Sequence, residues 1–429
     1  MTTPRRSFVL AALTAAAGAL AAAPVAGAAP PAGFSAPATL APDVQVSGPV
    51  VTAAAASGAT TAVAFADARG GVWAGRVRAD GTVGSPLPAA SRQRSVRDLQ
   101  VAMTDQGELV VVWSTVVSRS GRAAVRYAVA APGRSFSGIR LVASTGTDSG
   151  ATPRLAALRG GTTAVIFRDL PLGGRIGVLR YARRAPHGTF GAPRSLGHDG
   201  VSPEIAAAPG GGALLAWKRG PIGRRTLEVA SAQRGATLPG RASSVAGDVR
   251  DIQLAAGADG TTWVAWTCRG GAITGFARRT RAANVAAVGP VRALGPVAYG
   301  VPHQTIGAAG AILTAWSAQG PGAQPHVRLA SALGSGTATG TPVPFDAGGF
   351  SQTSPLPGLL HGAPLVLFTR QVDTPTFHPE VAVANAARGE TTVLGPAATI
   401  STPGVARVGD GLVVAWAAQR GGVAVSVAR

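Results

Sequence analysis

Residues 204–220 read EIAAAPGGGALLAWKRG: a small-residue stretch, a proline-glycine turn, an apolar ramp ending in one tryptophan, and then charge. The ramp ALLAW is apolar on both sides of an extended chain, so a strand built from it must be covered on both faces of its sheet. The same shape recurs along the chain. Its closing aromatic falls at Phe65, Trp113, Phe167, Trp217, Trp266, Trp316, Phe368 and Trp416, at separations of 48, 54, 50, 49, 50, 52 and 48 residues. A period of about 50 residues marks an array of supersecondary units. Five of the seven tryptophans occupy this one position, which composition bias does not arrange.

Each period reads as four short strands. Residues 152–196, TPRLAALRGGTTAVIFRDLPLGGRIGVLRYARRAPHGTFGAPRSL, show them in order: a small-residue strand, a Gly turn, the ramp, a loop, an alternating strand, a turn, and a Pro-bearing strand. Alanine and glycine suit the first strand where strands crowd about a central axis. The last strand spaces an apolar residue and a Leu or Ile six apart, as in Phe34 to Leu40, Phe190 to Leu196, Val288 to Leu294 and Leu394 to Ile400. Proline there suits a sheet edge, where its missing N–H costs no ladder bond. The final unit stops at GGVAVSVAR after a third strand, while FSAPATL near the start is a fourth strand with no unit before it. The expected fold is therefore all-β: a β-propeller of eight four-stranded blades, closed by the N-terminal strand plus the C-terminal three, and spanning residues 34–429 as a single domain. Seven blades, or an open array, is the alternative.

The first 28 residues read as an export signal, with a basic start, an apolar stretch from Phe8 to Ala23, and Ala26-Gly27-Ala28 before the expected mature start at Ala29; residues 29–33 are a short linker. RRSFV resembles a twin-arginine signal, and the general secretory route is the alternative. A secreted or surface-associated protein is expected. Beyond Ala29 no apolar run approaches the roughly 18 residues of a membrane span. The single Cys268 allows no intramolecular disulfide, so burial and backbone pairing must hold the fold. The chain carries 39 basic and 19 acidic residues, and without Arg5 and Arg6 its net charge is +18, which favours polyanionic partners.

A ramp-and-aromatic repeat behind an export leader resembles the secreted β-propellers of high-G+C bacteria that group with sialidase-like propellers. Asp boxes of that group are not reproduced: ADGTTW, residues 258–263, lacks the serine and the spacer, and precedes the ramp. Sialidase-type chemistry implies an arginine cluster, a Tyr paired with Glu and an acidic Asp. Tyr127 and Tyr181 both stand 14 residues after their ramp aromatics and read as packing residues, and Tyr299 has no Glu partner visible in the sequence. The resemblance therefore implies fold and export, and lends little to chemistry.

Two sets of candidate site residues remain. Thirteen residues before five of the aromatics stand Gln100, Arg154, Glu204, Gln253 and His303, a ring at the mouth of an axial channel if the first strands line the axis. With Asp199, Asp248 and Asp251 in the adjoining connections, Glu204 and His303 could serve acid/base chemistry on a sugar, as in a glycosidase or lyase. Against this, Asp at the turn entering a blade is accounted for by local capping, which is the preferred account. No histidine pair has zinc spacing, and neither a metal nor a cofactor is expected. The second set is the loops after the ramps, rich in Arg168, Arg175, Lys218, Arg219, Arg224, Arg225 and Arg269. They point to a non-enzymatic monomer binding an anionic polysaccharide, a cell-wall polymer or a protein partner. Nucleic acid is a poor partner for an exported chain without aromatic-interleaved basic strands.

Overall fold

The computed structural model describes residues 33–54, 58–117, 122–146, 151–170, 177–237, 239–240, 242–245, 247–256, 261–268, 272–279, 292–297, 299–306, 312–319, 325–332, 343–345, 352–372, 378–385, 390–398, 403–408 and 410–429. The expected export signal lies outside these residues.

Among the described residues the strands form eight four-stranded antiparallel sheets, each a simple meander. The first strands of successive sheets, numbered here as blades 1 to 8, are Val51–Ala54, Arg97–Met103, Arg154–Ala157, Gly200–Ala207, Ile252–Ala256, Tyr299–Ile306, Gln352–Leu360 and Gly404–Val408. Each touches the first strand of the next blade, and Gly404–Val408 touches Val51–Ala54, so the array is a closed ring. At that junction a Cβ on Gly404 would lie 2.6 Å from Thr52 Cγ2 and 3.0 Å from Val50 O, so only glycine permits the approach. The fold is a β-propeller.

Blade 8 is composite. Ala38–Leu40 pairs antiparallel with Val423–Ala428, aligning Ala38 with Val425 and Leu40 with Val423, and Phe34 bridges Ala428. Ser426 Oγ donates to Ser35 O at 2.8 Å, and Val427 N donates to Ser35 Oγ at 3.0 Å. The chain ends thus meet as the sequence pattern requires.

The eight ramp aromatics are all buried, none more than 6% exposed. Their strands are apolar on both faces because each sheet is sandwiched between two others. One face of the blade 4 ramp, Leu215 and Trp217, packs with Ile166, Leu179 and Tyr181 of blade 3; the other, Leu214 and Ala216, packs with Ile252, Val264 and Trp266 of blade 5. Tyr127 and Tyr181 are buried as packing residues, Tyr127 meeting Phe190 edge to face at 4.9 Å.

Bulges interrupt several ladders and re-aim the side chains next to them. Between Arg97 and Gln100, and between Val201 and Glu204, the register shifts, and Asp98 and Ser202 within these bulges both take φ +48°. Glu204 emerges directly after the second bulge.

Candidate anion-binding face

In a meander of four strands, the loop joining the second and third strands and the crossover into the next blade leave the same end of the sheet. The residues of both candidate sets therefore converge on one face of the ring. Its centre carries charges of alternating sign running from blade 2 to blade 5. Asp98 accepts a hydrogen bond from Ser114 Oγ at 3.1 Å. Arg154, within range of the Asp98 charge, pairs through Nε with Glu204 Oε1 at 3.0 Å. Lys218, near both Glu204 and Asp251, donates from Nζ to the Arg250 carbonyl. Asp251 accepts from Thr267 Oγ1 at 3.1 Å. Asp98 and Asp251 each accept from the hydroxyl just after a ramp aromatic, which ties the entrance of each blade to its own second strand.

Burial pushes the Glu204 carboxyl above the usual carboxylate range, against the pull of Arg154 and Lys218, while Glu204 raises the Arg154 guanidinium further. Glu204 is thus engaged as a counter-ion between two cations. Asp199 is exposed with φ +63°, Asp248 is half-buried, and His303 lies farther round the ring on blade 6.

Lys218 departs from the expected place. It is only 5% exposed and points between blades 4 and 5, not into the loop. The reason is strand length: Ala213–Arg219 continues two residues past Trp217, and alternation turns Lys218 to the face opposite the tryptophan. Burial holds its amine below the ordinary lysine range, opposed mainly by Asp251. Arg219 and Arg224 are exposed beyond it, flanking Ile222, which is 86% exposed. Arg175 and Arg269 lie outside the described residues.

Arg168 and Arg225 differ from every charge above. Arg168 follows Phe167 on the second strand of blade 3, and Arg225 precedes the third strand of blade 4, Thr226–Ala232. Each has its Nε–H buried without a hydrogen-bond partner among the described residues. Burial and the neighbouring Arg225 charge both lower the Arg168 guanidinium from its ordinary value, and Arg225 also depresses Lys218. Two cations press on one another across the blade 3–blade 4 junction with unfilled donors. A carboxylate, sulfate or phosphate there would accept from both, since guanidinium forks match such oxyanions.

On the opposite face, one cluster has no counterpart in the sequence reading. Arg184, at the end of the third strand of blade 3, forks both terminal nitrogens onto Glu108 of the blade 2 hairpin, each at 3.1 Å, and His187 Nδ1 lies 3.1 Å from the same carboxylate. Glu108 and Arg184 are 3% and 1% exposed. The partners are 76 residues apart, and neither stands in a recognisable motif.

No model of a known protein family matches the chain, and no curated protein sequence matches it. Solved structures do. The Dos1 propeller aligns over 90% of this chain and 93% of its own, with a TM-score of 0.54 and 10% identity. The BP39L lectin from Burkholderia pseudomallei aligns over 81% of this chain and 99% of its own, with a TM-score of 0.50 and 16% identity. A Hadza microbial sialidase aligns over 86% of this chain and 76% of its own, with a TM-score of 0.43 and 11% identity. At such identities the likeness is one of fold alone, that of a β-propeller.

Proposed function

We propose that this chain is an exported, non-enzymatic β-propeller that binds an anionic glycan or cell-wall polymer through the face bearing its second-to-third-strand loops. The observation that carries this reading is the pair Arg168 and Arg225, whose buried Nε–H groups have no acceptor among the described residues and whose charges repel. An unfilled buried donor costs about 1–3 kcal/mol, which an anionic ligand would recover on binding. Exposed Arg219 and Arg224 extend the positive field outward from that pair. Single exposed contacts contribute only about 0–1 kcal/mol each, so useful affinity requires a repeating anion that meets several of them at once. The lectin among the structural neighbours is compatible with this reading and does not carry it.

The test is retention on immobilised polygalacturonate and dextran sulfate. Arg168→Gln with Arg225→Gln should cut retention strongly while leaving thermal stability unchanged or raised, because a repulsive pair is removed. Arg134→Gln with Arg234→Gln removes equal charge from exposed positions in third-to-fourth-strand turns of the opposite face, and should change retention little. Retention should fall steeply with salt, since at about 0.15 M the screening length is about 8 Å. Equal losses from the two double variants would mean that net charge alone governs binding, and the reading would be abandoned.

A further inference from the structure

The first strands of blades 6, 7 and 8, with Leu412 at the start of the second strand of blade 8, line a partly open cavity of about 110 Å³ at the axis. A water needs about 10–15 Å³ by this measure, so the space suits a molecule on the order of ten non-hydrogen atoms. Its walls differ in character. One carries His303 and Gln304 from blade 6; the other is apolar, with Leu356 and Leu359 from blade 7 and Leu412 from blade 8; Arg407 stands at its margin.

The polar wall is incompletely satisfied. Gln304 Nε2 donates to Thr314 Oγ1 at 3.2 Å. In this orientation its Oε1 is a buried acceptor with no partner among the described residues. A buried amide oxygen in that state calls for a donor. The His303 ring has no hydrogen bond among the described residues, and burial lowers it to about 4, so it is a neutral imidazole offering one donor and one acceptor. The guanidinium an anion would meet here, Arg407, is already paired with Asp410 at 3.2 Å, and a bare anion supplies no proton to Gln304. A cation would supply one but would face the Arg407 guanidinium. Hydroxyl groups both donate and accept without charge, and the C–H face of a small ring fits against three leucines.

We propose that this axial cavity binds a neutral polyhydroxylated molecule about the size of one sugar ring, one hydroxyl donating to Gln304 Oε1 and a second pairing with the His303 ring, with the leucine wall covering its apolar side. The site lies on different blades from Arg168 and Arg225 and stands independently of the anion-binding reading.

Calorimetry and ligand-observed NMR on the full chain, with galactose and glucose as neutral probes and galacturonate and glucosamine as charged ones, test the assignment. At least one neutral sugar should bind with a dissociation constant near about 1 mM, the range open to a ligand this small. Gln304→Leu should weaken that binding by about tenfold or more, because the acceptor is gone. Gln304→Glu, which retains an acceptor oxygen at the same reach, should keep it within a few-fold. Retention of Gln304→Leu on dextran sulfate should match the parent chain, which separates failure of this site from failure of the loop face. Absence of neutral-sugar binding at tens of millimolar, unchanged affinity in a folded Gln304→Leu, or tighter binding of either charged probe would overturn the proposal.

Discussion

Leu40 is the peg on which ring closure depends, and its truncation offers the most direct test of the fold. In the N-terminal strand Ala38–Leu40 only Leu40 is buried, at 2% exposure; Ala38 and Thr39 face outward. Leu40 joins a cluster containing Val63, Phe65 and Val77 of blade 1 and Val413, Val423 and Val425 of blade 8. Its two methyls lie 3.3 and 3.4 Å from the point where Gly75 of blade 1 would carry a Cβ. One side chain therefore fastens the composite blade to its neighbour. Leu40→Ala should cost about 2–5 kcal/mol, as for other buried leucines. With an unfolding entropy of about 2.1 cal/mol/K per residue, a domain of this length loses roughly 1 °C for each kcal/mol, so the melting temperature should drop by about 2–6 °C. Gly75→Val should also destabilise, because its methyls enter the volume Leu40 fills. In the double variant valine occupies space vacated by leucine, and the combined cost should fall short of the sum by at least about 1 kcal/mol. Urea denaturation of the four proteins completes the cycle, and Thr39→Ser, on the exposed side, should stay within about 0.5 kcal/mol of the parent. Strict additivity, or a Leu40→Ala protein that melts with the parent, would show that the N-terminal strand does not close the ring.

Glu108→Gln should cost about 3–5 kcal/mol by leaving Arg184 buried without its counter-ion, whereas Glu108→Leu with Arg184→Met should be near neutral; equal losses in urea titrations would refute the clamp. Trp217→Ala should cost about 3–5 kcal/mol, and free quenching of Trp217 fluorescence by acrylamide in the folded protein would contradict its burial. His303 titrates at about 4 in the fold against an ordinary value of 6.5. The unfolded chain therefore takes up the proton first as pH falls. The contribution of His303 is fully present above pH 6.5 and is lost as pH drops towards 4, amounting to at most about 3 kcal/mol. Among the described residues lining its cavity the charged group is Arg407, itself paired with Asp410 at 3.2 Å. Stability curves measured from pH 7 to pH 4 should be shallower for His303→Leu than for the parent, and parallel curves would rule this out.

The architecture was legible in the sequence because its cause is local and repeats. Every blade must present one strand that is apolar on both faces, and that demand writes an aromatic ramp every fifty residues or so, from Phe65 to Trp416. Closure was legible too, since a fourth strand without a unit at one end and a unit without a fourth strand at the other have only each other to pair with. What the tertiary structure alone decided is the state of the individual charges. Lys218 and Arg219 are neighbours in sequence, yet one is buried between blades and the other stands in solvent, because strand alternation and the packing of the next blade act on them oppositely. Arg154 finds Glu204 fifty residues away, and Arg168 meets Arg225 across a blade junction, through bulges and sheet rotation that leave no local mark on composition. Hydrophobic burial is set by periodicity along the chain, and periodicity can be read from one strand of letters. The pairing of a charge depends on which side chains the folded ring brings within a few ångströms, and that is fixed only when the blades have packed.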